Sequence, residues 1–282
     1  MARAILLLSC PDQKGLVARL SHFVFSNGGN IIDADQHTDF TSGLFLTRLE
    51  WDLDGFSVGR AELPAVVATL ASDLGARWEL HFSDVERRVA IFVTKQDHCL
   101  VDLLWRVRAG ELAATVPLVI SNHEDLRGVT EQLGVPYRCI PVDPANKRAQ
   151  EEQQLALLRE HRIDLVLLAK YMQVVTAEFL AAAPPVINIH HSFLPAFAGA
   201  RPYHRAHERG VKIIGATAHY ATADLDEGPI IEQQVTRVSH RDTVADLIRK
   251  GRDLERIVLA TAVRHHLENR VLIYRNRTVV FG

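Results

Sequence analysis

The chain has 282 residues, a formal net charge of −2, and 48% apolar against 23% charged residues, a balance that suits two ordinary globular domains and gives no sign of a polyanion binder. Lys and Arg are scattered rather than gathered into a stripe, so neither nucleic acid nor a membrane surface has an electrostatic footing. No segment is apolar for long enough to span a bilayer, the run Ala4–Leu8 is too short for a secretion signal, and Cys10, Cys99 and Cys139 are odd in number and widely spaced, all of which points to a reduced, cytoplasmic setting.

Taken in chain order, Arg3 to Ser9 is an apolar run, and Gly15 to Ser26 has helical spacing through Leu16, Leu20, Phe23 and Val24. After the turn cluster Asn27-Gly28-Gly29-Asn30, strands over Ile31 to Thr38 and Gly43 to Trp51 flank a polar hairpin. Helical spacing returns over Arg60 to Leu74, and Arg77 to Phe82 alternates. The order βαββαβ predicts a ferredoxin-like unit, an antiparallel sheet with both helices on one face.

The charged stretch Ser83 to Arg88 marks a domain boundary, with domains over residues 1–84 and 88–282. Beyond it, strands at Val89–Thr94, Val116–Ser121, Tyr137–Val142, Ile163–Ala169 and Val186–His190 alternate with helices at His98–Arg108, Asp125–Leu133, Lys147–His161 and Thr176–Ala182. That alternation predicts an α/β domain with a doubly wound, mostly parallel sheet, and near-continuous apolar runs such as Leu165-Val166-Leu167-Leu168 suit strands covered on both faces. Strands at Ile213–Ala221 and Pro229–Val238, a long helix at Thr243–Leu267, and a terminal hairpin around Arg275-Asn276 complete the chain.

Chemistry concentrates where Val186-Ile187-Asn188-Ile189-His190 ends, at the carboxyl end of a strand, where open α/β sheets bind their ligands. Side chains two apart share a strand face, so Asn188 and His190 point one way, and Ile189 and His191 the other. An amide and an imidazole side by side suit a carbonyl oxygen as it becomes negative, although such residues also serve as plain structural hydrogen-bonders. Asp226 sits in the turn Asp224-Leu225-Asp226-Glu227-Gly228-Pro229, either as a turn former or as a carboxylate that orients His190 and takes a proton from water. His190, His191, His204, His207 and His219 lack the spacing of a metal set, so no metal is expected. Neither Gly-x-Gly-x-x-Gly nor a Walker A sequence is present, which disfavours a nicotinamide-dependent oxidoreductase and any nucleotide cofactor.

The stretch carrying Asn188-Ile189-His190, Leu194-Pro195-Ala196-Phe197, Gly215-Ala216-Thr217-Ala218-His219 and Leu225-Asp226-Glu227-Gly228-Pro229 resembles the folate-dependent formyltransferase superfamily. The resemblance implies Asn188, His190 and Asp226 as catalytic residues. It also implies a folate pocket at Lys170, Tyr171, Met172, Gln173 and Val174, with Ala221 nearby and His219 as an auxiliary polar contact. Where phosphate-binding members carry a Gly-rich loop, this chain reads Val93-Thr94-Lys95-Gln96-Asp97-His98-Cys99-Leu100, too bulky for backbone to cradle a phosphate. That segment and Ser121-Asn122-His123-Glu124-Asp125-Leu126 resemble the deformylase branch, which implies hydrolysis of 10-formyltetrahydrofolate to tetrahydrofolate and formate for purine synthesis, with no cofactor besides the folate substrate. Cys10-Pro11-Asp12-Gln13-Lys14-Gly15-Leu16 and Asn27-Gly28-Gly29-Asn30-Ile31 resemble an ACT domain. This implies a homo-oligomer and an amino-acid effector near Asp12, Gly15 and Asn30. Transfer of the formyl group to an amine, and a non-catalytic folate sensor, stay open as alternatives.

Overall fold

The computed structural model describes residues 2–196 and 202–282. They form two compact units, one made of the stretch to Glu86 together with Glu268–Gly282, the other of Arg87–Leu267.

The first unit contains β1 (Arg3–Pro11), α1 (Leu16–Ser26), β2 (Ile31–Asp39), β3 (Leu44–Asp52), α2 (Leu63–Leu74) and β4 (Arg77–Phe82). Its sheet is antiparallel in the order β2-β3-β1-β4, the expected βαββαβ arrangement. Alternate residues of β1, namely Ala4, Leu6, Leu8 and Cys10, pack on Leu20 and Val24 of α1 and Val67 of α2, so both helices cover one face. Helix α2 starts at Leu63, three residues later than its apolar spacing suggested, with Pro64 in its first turn, where a missing N–H costs nothing.

In the second unit, β5 (Arg87–Val93), α3 (His98–Arg108), β6 (Ala114–Ser121), α4 (Arg127–Gln132) and β7 (Tyr137–Cys139) come first. Then follow α5 (Lys147–Glu160), β8 (Leu165–Leu168), α6 (Ala177–Ala182), β9 (Val186–His190), α7 (Pro202–Arg209), β10 (Ile213–Tyr220), β11 (Ile230–Arg237) and α8 (Val244–Leu267). The sheet runs β11-β10-β9-β8-β5-β6-β7. Strands β5 to β9 are mutually parallel, and β10 is antiparallel to both its neighbours. One face packs Ala90, Phe92, Val166 and Leu168 against α5 and α6. The intervening Val89, Ile91, Val93, Leu165 and Leu167 are equally buried, which is why the sequence shows continuous rather than alternating apolar runs. Helix α7 had no sequence signal as an apolar-periodic element, because only Pro202 and Ala206 of its eight residues are buried. The strand order reverses between β8 and β5, which opens a crevice at the carboxyl ends of the strands.

The terminal hairpin, β12 (Val271–Tyr274) with β13 (Arg277–Val280), belongs to the first unit, not to the end of the second domain as its sequence position suggested. Leu272 and Phe281 pack on Leu7 and Leu46, the face of the first sheet that the helices leave bare. The clue lay in β1, whose unbroken apolar run Ala4–Leu8 marks a strand buried on both sides. Arg48, only 2% exposed, fastens the hairpin. Its guanidinium bonds Asp33 and Glu50 at 2.6 Å each and donates to the carbonyls of Asn269 (3.1 Å) and Glu268 (3.3 Å). Arg48→Met leaves Glu50 without that partner, so we expect about 3 kcal/mol of destabilisation, read from urea unfolding. An unchanged midpoint would show that Arg48 does not hold the hairpin.

Candidate active site

The site is assembled from β9, the segment after β8, and the loop between β10 and β11. Antiparallel pairing sets Asn188 directly opposite His219 and His190 opposite Thr217. Cross-strand neighbours lie within side-chain reach, and Asn188 Nδ2 lies 3.1 Å from His219 Nε2. The orientation of this contact follows from the other ring nitrogen. His219 Nδ1 is 3.0 Å from the carbonyl oxygen of Tyr220, which only accepts, so Nδ1 carries the proton and Nε2 receives the hydrogen bond from Asn188. Burial pushes the His219 pKa down, against the opposing pull of that backbone bond and of Asp226. Asn188 therefore spends one N–H on His219 and keeps its second for another acceptor.

The loop after β10 brings Asp226 back over the strand ends. Its backbone is left-handed, with φ 60°, a conformation Asp tolerates better than most residues. Two residues on, Gly228 is indispensable: a Cβ there would lie 1.7 Å from the Tyr220 carbonyl oxygen. Asp226 Oδ1 lies 3.2 Å from His190 Nδ1 and 3.8 Å from His219 Nε2. The hydrogen bond from His190 holds the Asp226 carboxyl below the usual carboxylate range, in spite of partial burial. His190 is buried, and its Nε2 has no hydrogen-bond partner among the described residues. The three residues expected to meet, Asn188, His190 and Asp226, all border one cleft of about 540 Å³, within the ordinary size of a small-molecule site.

The segment expected to bind folate borders the same cleft, but its side chains divide. Met172, Val174 and Leu225 expose apolar surface at its rim, and Gln173 and Ala221 line it. Tyr171 instead turns its ring against Phe92, with centroids 5.4 Å apart, and its phenol onto Gln154 at 3.1 Å. Lys170, left-handed at φ 64° and buried, directs its ammonium to His191 Nδ1 at 3.0 Å and Glu255 Oε2 at 3.4 Å. His191 does not point away from His190 as strand alternation suggested. It lies beyond the last strand residue, and its ring stacks on His190 at 5.0 Å and 14°.

Several residues that the sequence did not single out hold this arrangement in place. Thr217, fully buried, bonds the backbone of Ser192 (2.8 Å) and Leu194 (3.1 Å) and accepts from Gln233 (2.9 Å), fixing the chain just beyond His190. Thr94 bonds Asn122 and accepts from the Met172 amide, each at 2.9 Å, tying together the loops after β5, β6 and β8. Thr217 was visible in principle as the residue two before His219 on the same strand face; Thr94 left no such trace. Phe197, quoted in the motif, lies outside the described residues.

Among the described residues, His98, Cys99 and Glu255 approach closely enough to hold a metal ion. The Glu255 carboxylate, however, already faces His98 and the Lys170 ammonium, and burial pushes the Cys99 thiol pKa up, so the donor set is poor for a cation. The histidines considered at the outset do not join it; His204 and His207 lie on α7. In the first unit, Asp12 and Gly15 sit together in the loop after β1, but Asn30 precedes β2 at the far end of α1. Asp12 is bonded to Gly43 and Asn30 to Asp52, opposite ends of the nine-residue β3, roughly 25 Å apart at strand rise. The three expected effector residues therefore do not converge within one chain.

Residues 87–263 match the formyl transferase family model. The chain is 64% identical over 279 residues to a formyltetrahydrofolate deformylase of Synechocystis sp., covering 99% of this chain and 98% of that protein. A crystal structure of a formyltetrahydrofolate deformylase from Pseudomonas syringae superposes with a TM-score of 0.96 at 44% identity, covering 100% of this chain and 95% of that one. A glycinamide ribonucleotide transformylase from Symbiobacterium toebii is similar over only 72% of this chain, at 34% identity and a TM-score of 0.66, while 98% of that chain is covered.

Proposed function

The chain belongs to the formyltetrahydrofolate deformylases, and from that membership we propose how its residues hydrolyse 10-formyltetrahydrofolate to tetrahydrofolate and formate. Hydrolysis of an N-formyl group needs a polarised carbonyl, a deprotonated water and a proton for the leaving nitrogen. The pterin lies between the apolar rim residues Met172, Val174 and Leu225, in a cleft whose backbone is tied down by Thr94. This puts the formyl carbon beside His190. The remaining Asn188 N–H and His190, protonated at Nε2 as well as Nδ1, donate to the developing oxyanion; Asp226 takes the proton of the attacking water, and that proton passes to N10 as the C–N bond breaks and formate leaves. The observation that carries this reading is the convergence of Asn188, His190 and Asp226 on one cleft, with His190 Nδ1 fixed on Asp226 at 3.2 Å and its buried Nε2 without a hydrogen-bond partner among the described residues.

Water rather than an amine as acceptor is supported by the segment after β5. There, bulky Lys95, Gln96 and Asp97 stand where a phosphate cradle would need close backbone approach. No metal and no cofactor enter this scheme. The first unit fits an ACT-type module that pairs with a second copy and takes an amino acid, with Asp12 and Gly15 at one end of its sheet. The three free cysteines support a cytoplasmic setting for the reaction; no helix among the described residues is long and apolar enough to cross a membrane.

The test is to incubate purified protein with 10-formyltetrahydrofolate alone, follow formate and tetrahydrofolate, and repeat with amino acids added, with the mass in solution taken by light scattering. Stoichiometric formate without any amine is the expected result. Formate only after an amine is supplied would make the chain a transferase, and binding without turnover would make it a sensor.

A further inference from the structure

Behind the catalytic histidine lies a group of buried polar side chains that the hydrolytic scheme does not use. Glu255, on α8, is 1% exposed. Its Oε2 faces His98 Nε2 at 2.7 Å and Lys170 Nζ at 3.4 Å, and its Oε1 accepts from the Tyr203 hydroxyl at 2.8 Å. One turn earlier on the same helix stands Gly251, where a Cβ would lie 1.9 Å from the Tyr203 hydroxyl oxygen. Glycine there gives Tyr203 the room to reach Glu255, so the contact is built into the helix. A buried carboxylate is costly unless it is paired and hydrogen-bonded, and this one has three partners. Although burial alone would raise its pKa, the hydrogen bond from His98 and the charge of Lys170 hold it down at about 2.

From Glu255 the chain of contacts leads to the reaction centre. The Lys170 ammonium can only donate, so His191 accepts through Nδ1 across 3.0 Å and carries its own proton on Nε2. That one hydrogen bond fixes both the tautomer and the plane of His191, whose ring lies flat on His190. We propose that Lys170 and Glu255 are positioning residues for hydrolysis, an ion pair that holds His191 neutral and in one tautomer so that its ring seats His190 against Asp226 and the formyl oxygen. This rests on His190 meeting the oxyanion, as argued above.

Charge explains why a pair is needed. To donate to the oxyanion through Nε2 while Nδ1 donates to Asp226, His190 must carry both protons and a positive charge, and a second imidazolium stacked on it would oppose that. The groups facing His191 are Lys170, His190, Glu255, Asp226 and Tyr203. Burial first, then the Lys170 charge, lowers the His191 pKa to about 4. Glu255 in turn matches the charge of Lys170, so the ammonium fixes His191 without presenting an uncompensated cation to His190.

Lys170→Met is expected to lower kcat about tenfold with KM nearly unchanged, the scale expected for a small misplacement of a reacting group. With the cation gone His191 binds a proton more readily, so the acid limb of kcat moves to higher pH by about one unit. Nitrogen-15 NMR of the substrate-free protein should show His191 with a bare Nδ1 and a protonated Nε2, and this pattern lost in Lys170→Met. His191→Phe keeps a flat ring and removes both nitrogens. It should lower kcat to a similar extent, with no further loss when combined with Lys170→Met, and it serves as the test should Lys170→Met fail to fold. A rise in KM with unchanged kcat in Lys170→Met would place Lys170 on the substrate and overturn the proposal. So would wild-type kcat in His191→Phe, or His191 protonated at Nδ1 in the unmodified protein. The NMR measurement needs no turnover, so its failure is distinguishable from failure of the hydrolytic reading itself.

Discussion

Asp226→Asn is expected to lower kcat by about 10²- to 10⁴-fold, the range for loss of a general base, while folate binding stays close to normal. Asparagine has the shape of aspartate and keeps an oxygen to accept from His190 across the present 3.2 Å, so the loop geometry survives. What disappears is the negative charge. That charge is secure in the native protein because the His190 hydrogen bond keeps the Asp226 carboxyl below its usual range, so the base is ionised throughout neutral and mildly acidic pH. Single-turnover formate release separates chemistry from product release, and circular dichroism checks that the fold is intact. Near-normal turnover in a folded Asp226→Asn protein would eliminate Asp226 as the base and leave it as an orienting group for the β10–β11 loop.

Removing the amide should be nearly as damaging. Asn188→Ala deletes one of two donors to the developing oxyanion, and such losses cost about 10²- to 10³-fold in rate. The effect belongs in kcat, because the donor matters more to a negatively charged oxygen than to a neutral carbonyl. Combining Asn188→Ala with His190→Gln should give less than the product of the two single effects, since both donors serve the same oxygen. If Asn188→Ala raised KM and left kcat alone, Asn188 would be binding the ground state and the oxyanion assignment would fall. The His219 contact adds a control. His219 holds Asn188 by its Nε2, so His219→Ala should matter less once Asn188 is already alanine.

The sequence by itself determined the architecture and the identity of the reacting groups. Period-two and period-3.6 apolar patterns gave βαββαβ followed by alternating strands and helices, because those periods reflect which faces are buried. Asn188 and His190, two apart on one strand, had to share a face, and their placement at a strand's carboxyl end already pointed to a ligand. The partnership of Asp226 with His190, by contrast, depends on a left-handed residue and a glycine pressed against the Tyr220 carbonyl, which bend the loop back over the sheet. Strand alternation also failed one residue past the end of β9, where His191 turns back onto His190 because Lys170 holds it there. The terminal hairpin closes the first sheet rather than the second domain, since the bare face around Leu7 and Leu46 lies hundreds of residues away in sequence from Leu272 and Phe281. Local pattern records whether a side chain is buried; only the folded chain decides against what, because the partners of a buried charge or an uncovered sheet face come from distant segments.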